Sequence, residues 1–133
     1  MAGEETVIVA GVGCRRGTSA DEIEHVVRLA LGMHQLPAER LQVIATESKK
    51  ATEPAFPEVA RRLSVQLVAC AATDLGRVVG QILTPSKFAL EAKGLPSIAE
   101  ASAIVVAGRN ARLLGARIAT ERATCAIATG DGR

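Results

Sequence analysis

Two hydrophobic rhythms alternate along the chain. TVIVAGVG, residues 6–13, is an unbroken apolar run rich in β-branched residues and short enough to be a strand buried on both faces. From Ser19 the period becomes helical: Ile23, Val26, Val27, Ala30 and Leu31 share one stripe, with Asp21, Glu22, Glu24 and Arg28 largely off it. LQVIAT, 41–46, predicts a second strand, and the polar ESKKATEP leads to a helix over about 55–63. VQLVACA, 65–71, predicts a third buried strand. Residues 73–94 predict two short helical pieces broken at Thr84-Pro85. A helix then starts at Ser97 and closes at Gly108, and ARLLGARIATERATCAIATG predicts two strands joined as an antiparallel hairpin near Glu121-Arg122.

Strands and helices in alternation imply an α/β fold: a three-layer α/β/α arrangement on a mostly parallel sheet of about five strands, with an antiparallel C-terminal hairpin. No internal repeat or low-complexity linker divides the 133 residues, so one domain over 1–133 is expected. A chain of this length can bury roughly 68% of its unfolded surface and needs neither disulfides nor a structural metal.

Charge and composition narrow the partners. The formal net charge is only +2, but residues 1–76 carry 8 Lys or Arg against 10 Asp or Glu, and residues 77–133 carry 8 against 4. A mildly basic C-terminal part suits an anionic small molecule better than a nucleic-acid backbone, which needs a dense patch. With no Trp or Tyr, and only Phe56 and Phe88 as aromatics, the chain has nothing from which to build a base-stacking platform. No nucleic acid is expected.

Cys14, Cys70 and Cys125 are odd in number and widely spaced, which indicates neither a disulfide framework nor a metal knuckle and fits a reducing compartment. The N-terminus is acidic where a signal peptide is basic, and no apolar run approaches a membrane span. A soluble cytoplasmic protein with no membrane partner is the expectation.

In an open parallel sheet, ligands bind beyond the carboxyl ends of the strands. The loops expected there are CRRGTS, ESKKATEP and ATDLGR, which hold Arg15, Arg16, Lys49, Lys50, Glu53 and Asp74. The first follows Gly11 and Gly13 and contains Gly17. GxGxxxG departs from the dinucleotide spacing by one residue, and no Gly-Lys-Ser/Thr follows to make a P-loop.

The same loop can nevertheless hold an anion, since a helix N-terminus offers unpaired N–H groups and the two arginines offer guanidinium forks. Structural readings stand beside this one. Ser19-x-x-Glu22 and Ser97-x-x-Glu100 both read as capping boxes, and the glycines can serve only to turn the chain. Cys14 is a candidate nucleophile if the helix end and the arginines lower its pKa, or else a buried small residue. Cys70 and Cys125 read as core, His25 as solvent-facing, and His34 as a helix-end residue positioned to meet free carbonyls. Neither histidine has a second ligand at metal-binding spacing, so no metal and no cofactor is expected.

Four segments, in order, carry a resemblance: Gly11-Val-Gly-Cys-Arg-Arg-Gly-Thr-Ser-Ala; Ile44-Ala-Thr with Lys50-Ala-Thr-Glu53; Leu95-Pro-Ser-Ile-Ala-Glu-Ala-Ser-Ala103; and Thr124-Cys-Ala-Ile-Ala128. Together they resemble the CobE/CbiG C-terminal domain family of cobalamin biosynthesis, over nearly the whole chain. The resemblance implies work on the corrin ring. Longer members of the family are similar to hydrolases that open a precorrin lactone and release a two-carbon unit as acetaldehyde. This chain looks like the stand-alone CobE form of the aerobic route, for which a carrier or accessory role is implied.

The implied partners are a carboxylate-rich corrin or precorrin intermediate and other enzymes of the cobalamin pathway. Carried over position by position, Cys14, Arg15, Arg16, Thr18, Lys50 and Glu53 are implied to line the site, with Gly13, Gly17, Ser19 and Thr46 from the same motifs. Arg15, Arg16 and Lys50 would bind carboxylates. In the hydrolase alternative, Glu53 would position or deprotonate water, with Cys14 as a further catalytic candidate.

Overall fold

The computed structural model describes residues 6–83 and 97–132. The chain runs β1 (Val7–Cys14), α1 (Ala20–Met33), β2 (Val43–Glu47), α2 (Ser48–Ala51), α3 (Ala55–Leu63), β3 (Gln66–Cys70) and α4 (Ala72–Gly76). After the undescribed residues come α5 (Ile98–Ala107), β4 (Arg112–Leu113), β5 (Ile118–Ala119) and β6 (Ala123–Gly130). The six strands form one sheet in the order β3-β2-β1-β6-β4, with β5 also paired to β6. β1, β2 and β3 are mutually parallel, while β6 runs antiparallel to β1 with Cys14 opposite Ala123.

Alternation along β1 builds the two faces of the sheet. Ile8, Ala10 and Val12 join Ile23, Val26, Val27 and Leu31 of α1, Phe56 and Val59 of α3, and Cys125 and Ile127 of β6 in one core. Val9 faces the other way, into a second core with Val43, Ala45, Leu75, Ala101, Val106 and Ala128, beneath α4 and α5. Helices on both faces of a largely parallel sheet give the expected three-layer α/β/α architecture.

Three details differ from the sequence expectation. The polar stretch after β2 contains a helical turn of its own, α2. The first strand of the C-terminal hairpin is split, because the Arg117 N–H donates to Glu100 Oε2 (2.9 Å) rather than to β6. Pairing with β6 persists on either side of the break. Gly115 lies within the break beside the ring of His34, which a Cβ there would meet at 3.0 Å. Of the two helical pieces expected over 73–94, the one before Thr84-Pro85 is itself divided, into α4 and a 3-10 turn at Val79–Gln81. The piece beyond Thr84-Pro85 lies outside the described residues.

Candidate functional site

The loops leaving β1 and β2 meet at the carboxyl edge of the parallel strands, and the β5–β6 hairpin turn joins them because β6 starts where β1 ends. Backbone and side-chain bonds brace residues 15–18 from three directions. Arg15 N–H donates to Arg122 O (2.9 Å), and Thr18 N–H donates back to Arg15 O (3.2 Å). The Thr18 hydroxyl also donates to Arg15 O (2.6 Å), Gly17 N–H donates to Glu53 Oε1 (3.1 Å), and Arg122 Nη2 donates to Arg16 O (3.2 Å). Gly17 has φ +79°, a left-handed conformation that a side chain resists. The turn therefore depends on Gly17 alone among the three glycines of the motif.

This bracing leaves two cations outward. Arg15 and Arg16 are exposed, and neither guanidinium makes an ion pair among the described residues. Ser19 caps α1 through a complete box, accepting from Glu22 N–H while Glu22 accepts from Ser19 N–H. Glu22 also lies 3.7 Å from Arg122 Nε, so its carboxylate answers that arginine rather than Arg15 or Arg16.

Behind the turn, Lys50 Nζ lies 3.5 Å from Glu53 Oε2, with side chains 17% and 21% exposed. Cys14 sits half-buried beside them. Sequence logic allowed a lowered thiol pKa; the structure reverses this. Burial pushes the Cys14 thiol up, and the Glu53 charge pushes the same way. Lys50, the neighbouring Thr18 hydroxyl and Arg122 pull down without prevailing. The cations close enough to act on it are Lys50 and Arg122 rather than Arg15 and Arg16. A thiol held protonated is a poor nucleophile.

Other predicted residues are placed in structural positions. Gly11 and Gly13 lie within β1, as the 6–13 run predicts, and take no part in the turn. A Cβ on Gly11 would collide with Ala99 O and Ala103 N of α5, so its role is to let the helix backbone approach the sheet. Gly13 faces Thr124 and Ile98. Thr46 is buried and donates to Val12 O (2.7 Å), tying β2 to β1, and Thr18 is buried as the latch of the turn. Ser97 caps α5 by accepting from Glu100 N–H, but the two oxygens of Glu100 accept from Leu83 N–H and Arg117 N–H (2.8 and 2.9 Å). The second capping box is thus one-sided. Asp74 pairs with Arg77 (3.3 Å) on α4, which packs toward α5. His25 and Lys49 are exposed, and Cys70 and Cys125 are core.

Arg122 is the residue that sequence reasoning missed. The hairpin turn was placed correctly, but only the antiparallel β6–β1 register brings its arginine to the β1 loop. Among the described residues, no group of His, Cys, Asp and Glu is arranged to hold a metal ion. None of their helices is long and apolar enough to cross a membrane.

A family model described as Cobalamin synthesis G C-terminus matches residues 8–128. Protein CobE of Sinorhizobium sp is 31% identical over 121 residues, covering 91% of this chain and 79% of that protein. The crystal structure of CobE, a protein from the cobalamin (vitamin B12) biosynthetic pathway, superposes with a TM-score of 0.89 at 33% identity, covering 94% of this chain and 91% of that one. The cobalt-precorrin-5A hydrolase of Priestia megaterium is 29% identical over 102 residues, 77% of this chain but only 27% of the hydrolase.

Proposed function

The chain belongs to the CobE/CbiG C-terminal family of cobalamin biosynthesis, and from that premise we propose that it binds a carboxylate-fringed corrin or precorrin intermediate as a carrier or accessory protein. The observation that carries this reading is the pair of exposed guanidiniums, Arg15 and Arg16, without an ion pair among the described residues, on a braced turn at the carboxyl edge of the parallel strands. Corrin precursors are large, partly apolar rings edged with acetate and propionate groups. A guanidinium matches a carboxylate in shape and charge, and a turn already fixed by Arg122, Thr18 and Glu53 loses little freedom when it binds.

A hydrolase acting on a precorrin lactone is the second reading, favoured by the sequence likeness to the cobalt-precorrin-5A hydrolase. Its two candidate groups are poorly disposed for chemistry in this state. Cys14 is held as a thiol, and Glu53 is engaged by Gly17 N–H and Lys50. The binding reading is tested by visible-absorbance titration of the protein with corrin-pathway intermediates. A stoichiometric spectral shift that Arg15→Ala/Arg16→Ala abolishes supports it; an unchanged shift in the double variant refutes the assignment of the arginines. Turnover that Glu53→Gln stops would move the reading to the hydrolase.

A further inference from the structure

We infer that Glu53 occupies a carboxylate subsite of its own protein, formed by Lys50 Nζ and the Gly17 N–H, and that a ligand carboxylate binds by taking its place. This inference rests on the proposed binding of a polycarboxylate ring and adds where one of its carboxylates goes.

The geometry has the character of an exchangeable contact. One Glu53 oxygen accepts from Gly17 N–H at 3.1 Å, and the other stands 3.5 Å from Lys50 Nζ. Charge-assisted bonds between an ammonium and a carboxylate settle near 2.7–2.9 Å, so Lys50 is held well beyond its optimum, while the Gly17 contact is an ordinary backbone bond. Lys50 and Glu53 are neighbours at i,i+3, and the short tether of Glu53 limits how well it reaches both donors at once. An untethered carboxylate is free to find the shorter geometry.

The donors themselves suit an incoming anion. Lys50 is mostly buried and has no ion-pair partner other than Glu53 among the described residues. Gly17 is exposed, with open space where a Cβ would stand, and its N–H is covered only by Glu53, the group a ligand carboxylate would displace. Arg15 and Arg16 flank the same turn. In the absence of ligand, Glu53 neutralises Lys50 and satisfies Gly17. When a ligand carboxylate takes these donors, Glu53 swings to water. Its negative charge meanwhile repels any approaching anion, so the cluster favours ligands whose several carboxylates engage Arg15 and Arg16 together with the subsite.

The test uses uroporphyrin I, a stable tetrapyrrole with eight carboxylates, titrated into wild type, Glu53→Gln, Lys50→Ala and Lys50→Ala/Glu53→Gln, with thermal melts confirming that each is folded. Removing the internal carboxylate charge is expected to tighten binding about 10-fold in Glu53→Gln. Lys50→Ala is expected to weaken binding and to cancel the gain in the double variant, because the freed subsite is then gone. Glu53→Ala, which also frees the Gly17 N–H, is expected to bind at least as tightly as Glu53→Gln. Should Glu53→Gln bind no more tightly than wild type while Arg15→Ala/Arg16→Ala loses binding, Glu53 is only a brace and the inference fails, with the binding reading intact. A gain that persists without Lys50 would trace to bulk charge and also overturn it. No binding to wild type or to any Glu53 variant would overturn both.

Discussion

Gly11→Ala places a methyl group where α5 already lies against β1. The new Cβ would meet Ala99 O and Ala103 N, both helix backbone atoms, as well as the hydroxyl of Ser102. Backbone cannot rotate aside as a side-chain tip can, so the helix must lift from the sheet. Ser102 then loosens its contacts with Ala45 O and with the carbonyls of Ile98 and Ala99. Overpacking of this kind costs about 1–3 kcal/mol or more, and the backbone collision puts Gly11→Ala at the upper end, near 3 kcal/mol. For a chain of this size that corresponds to a fall in Tm of about 10 °C.

Two companion substitutions calibrate the result. Gly17→Ala meets nothing within van der Waals range but must hold φ +79°, at a cost of about 1 kcal/mol. Gly13→Ala meets a movable Thr124 hydroxyl at 3.0 Å and should cost least. Urea unfolding followed by circular dichroism measures all three. A Gly11→Ala protein as stable as wild type, or less affected than Gly17→Ala, would refute the close-approach account and return Gly11 to a role in the loop.

Other outcomes follow from the same structure. Cys14 should alkylate more slowly at pH 8 than free cysteine, faster in Glu53→Gln and slower still in Lys50→Ala; a Cys14 more reactive than free cysteine would contradict the burial argument. Burial raises the folded Cys125 pKa far above that of an unfolded thiol. Its contribution is therefore intact below about pH 8.5 and declines as pH rises, by about 1.4 kcal/mol per unit. Unfolding measured from pH 8 to 10 should show a shallower loss in Cys125→Ala. Glu100→Ala strips the acceptor from two backbone N–H groups and should cost about 2–4 kcal/mol by urea unfolding. Ser97→Ala, which removes only a cap, should cost about 1 kcal/mol.

What could be read from sequence was whatever lies close along the chain. The α1 stripe, the Ser19–Glu22 box and the hairpin turn at 121–122 are set by residues within one or two turns of each other, and all formed. The layered architecture followed from the alternation of periods. Roles set by distant pairing were hidden. Nothing near Gly11 signals that Ala99 and Ala103 will lie against it, so its glycine read only as one that helps the chain turn. Arg122 meets Arg16 across 106 residues, and Glu100 reached past its own cap to Leu83 and Arg117. Cys14 illustrates a competition that sequence could not weigh: neighbouring cations argued for a reactive thiolate, and burial outweighed them.

The most direct test of the central claim is to bind a corrin-pathway intermediate to the purified protein, remove unbound material, then release and weigh the bound compound by mass spectrometry. Recovery of one unaltered molecule per chain, and none from Arg15→Ala/Arg16→Ala, is the result predicted for a carrier. Recovery of a compound changed by water addition or by loss of a two-carbon unit would contradict the account and identify a hydrolase instead.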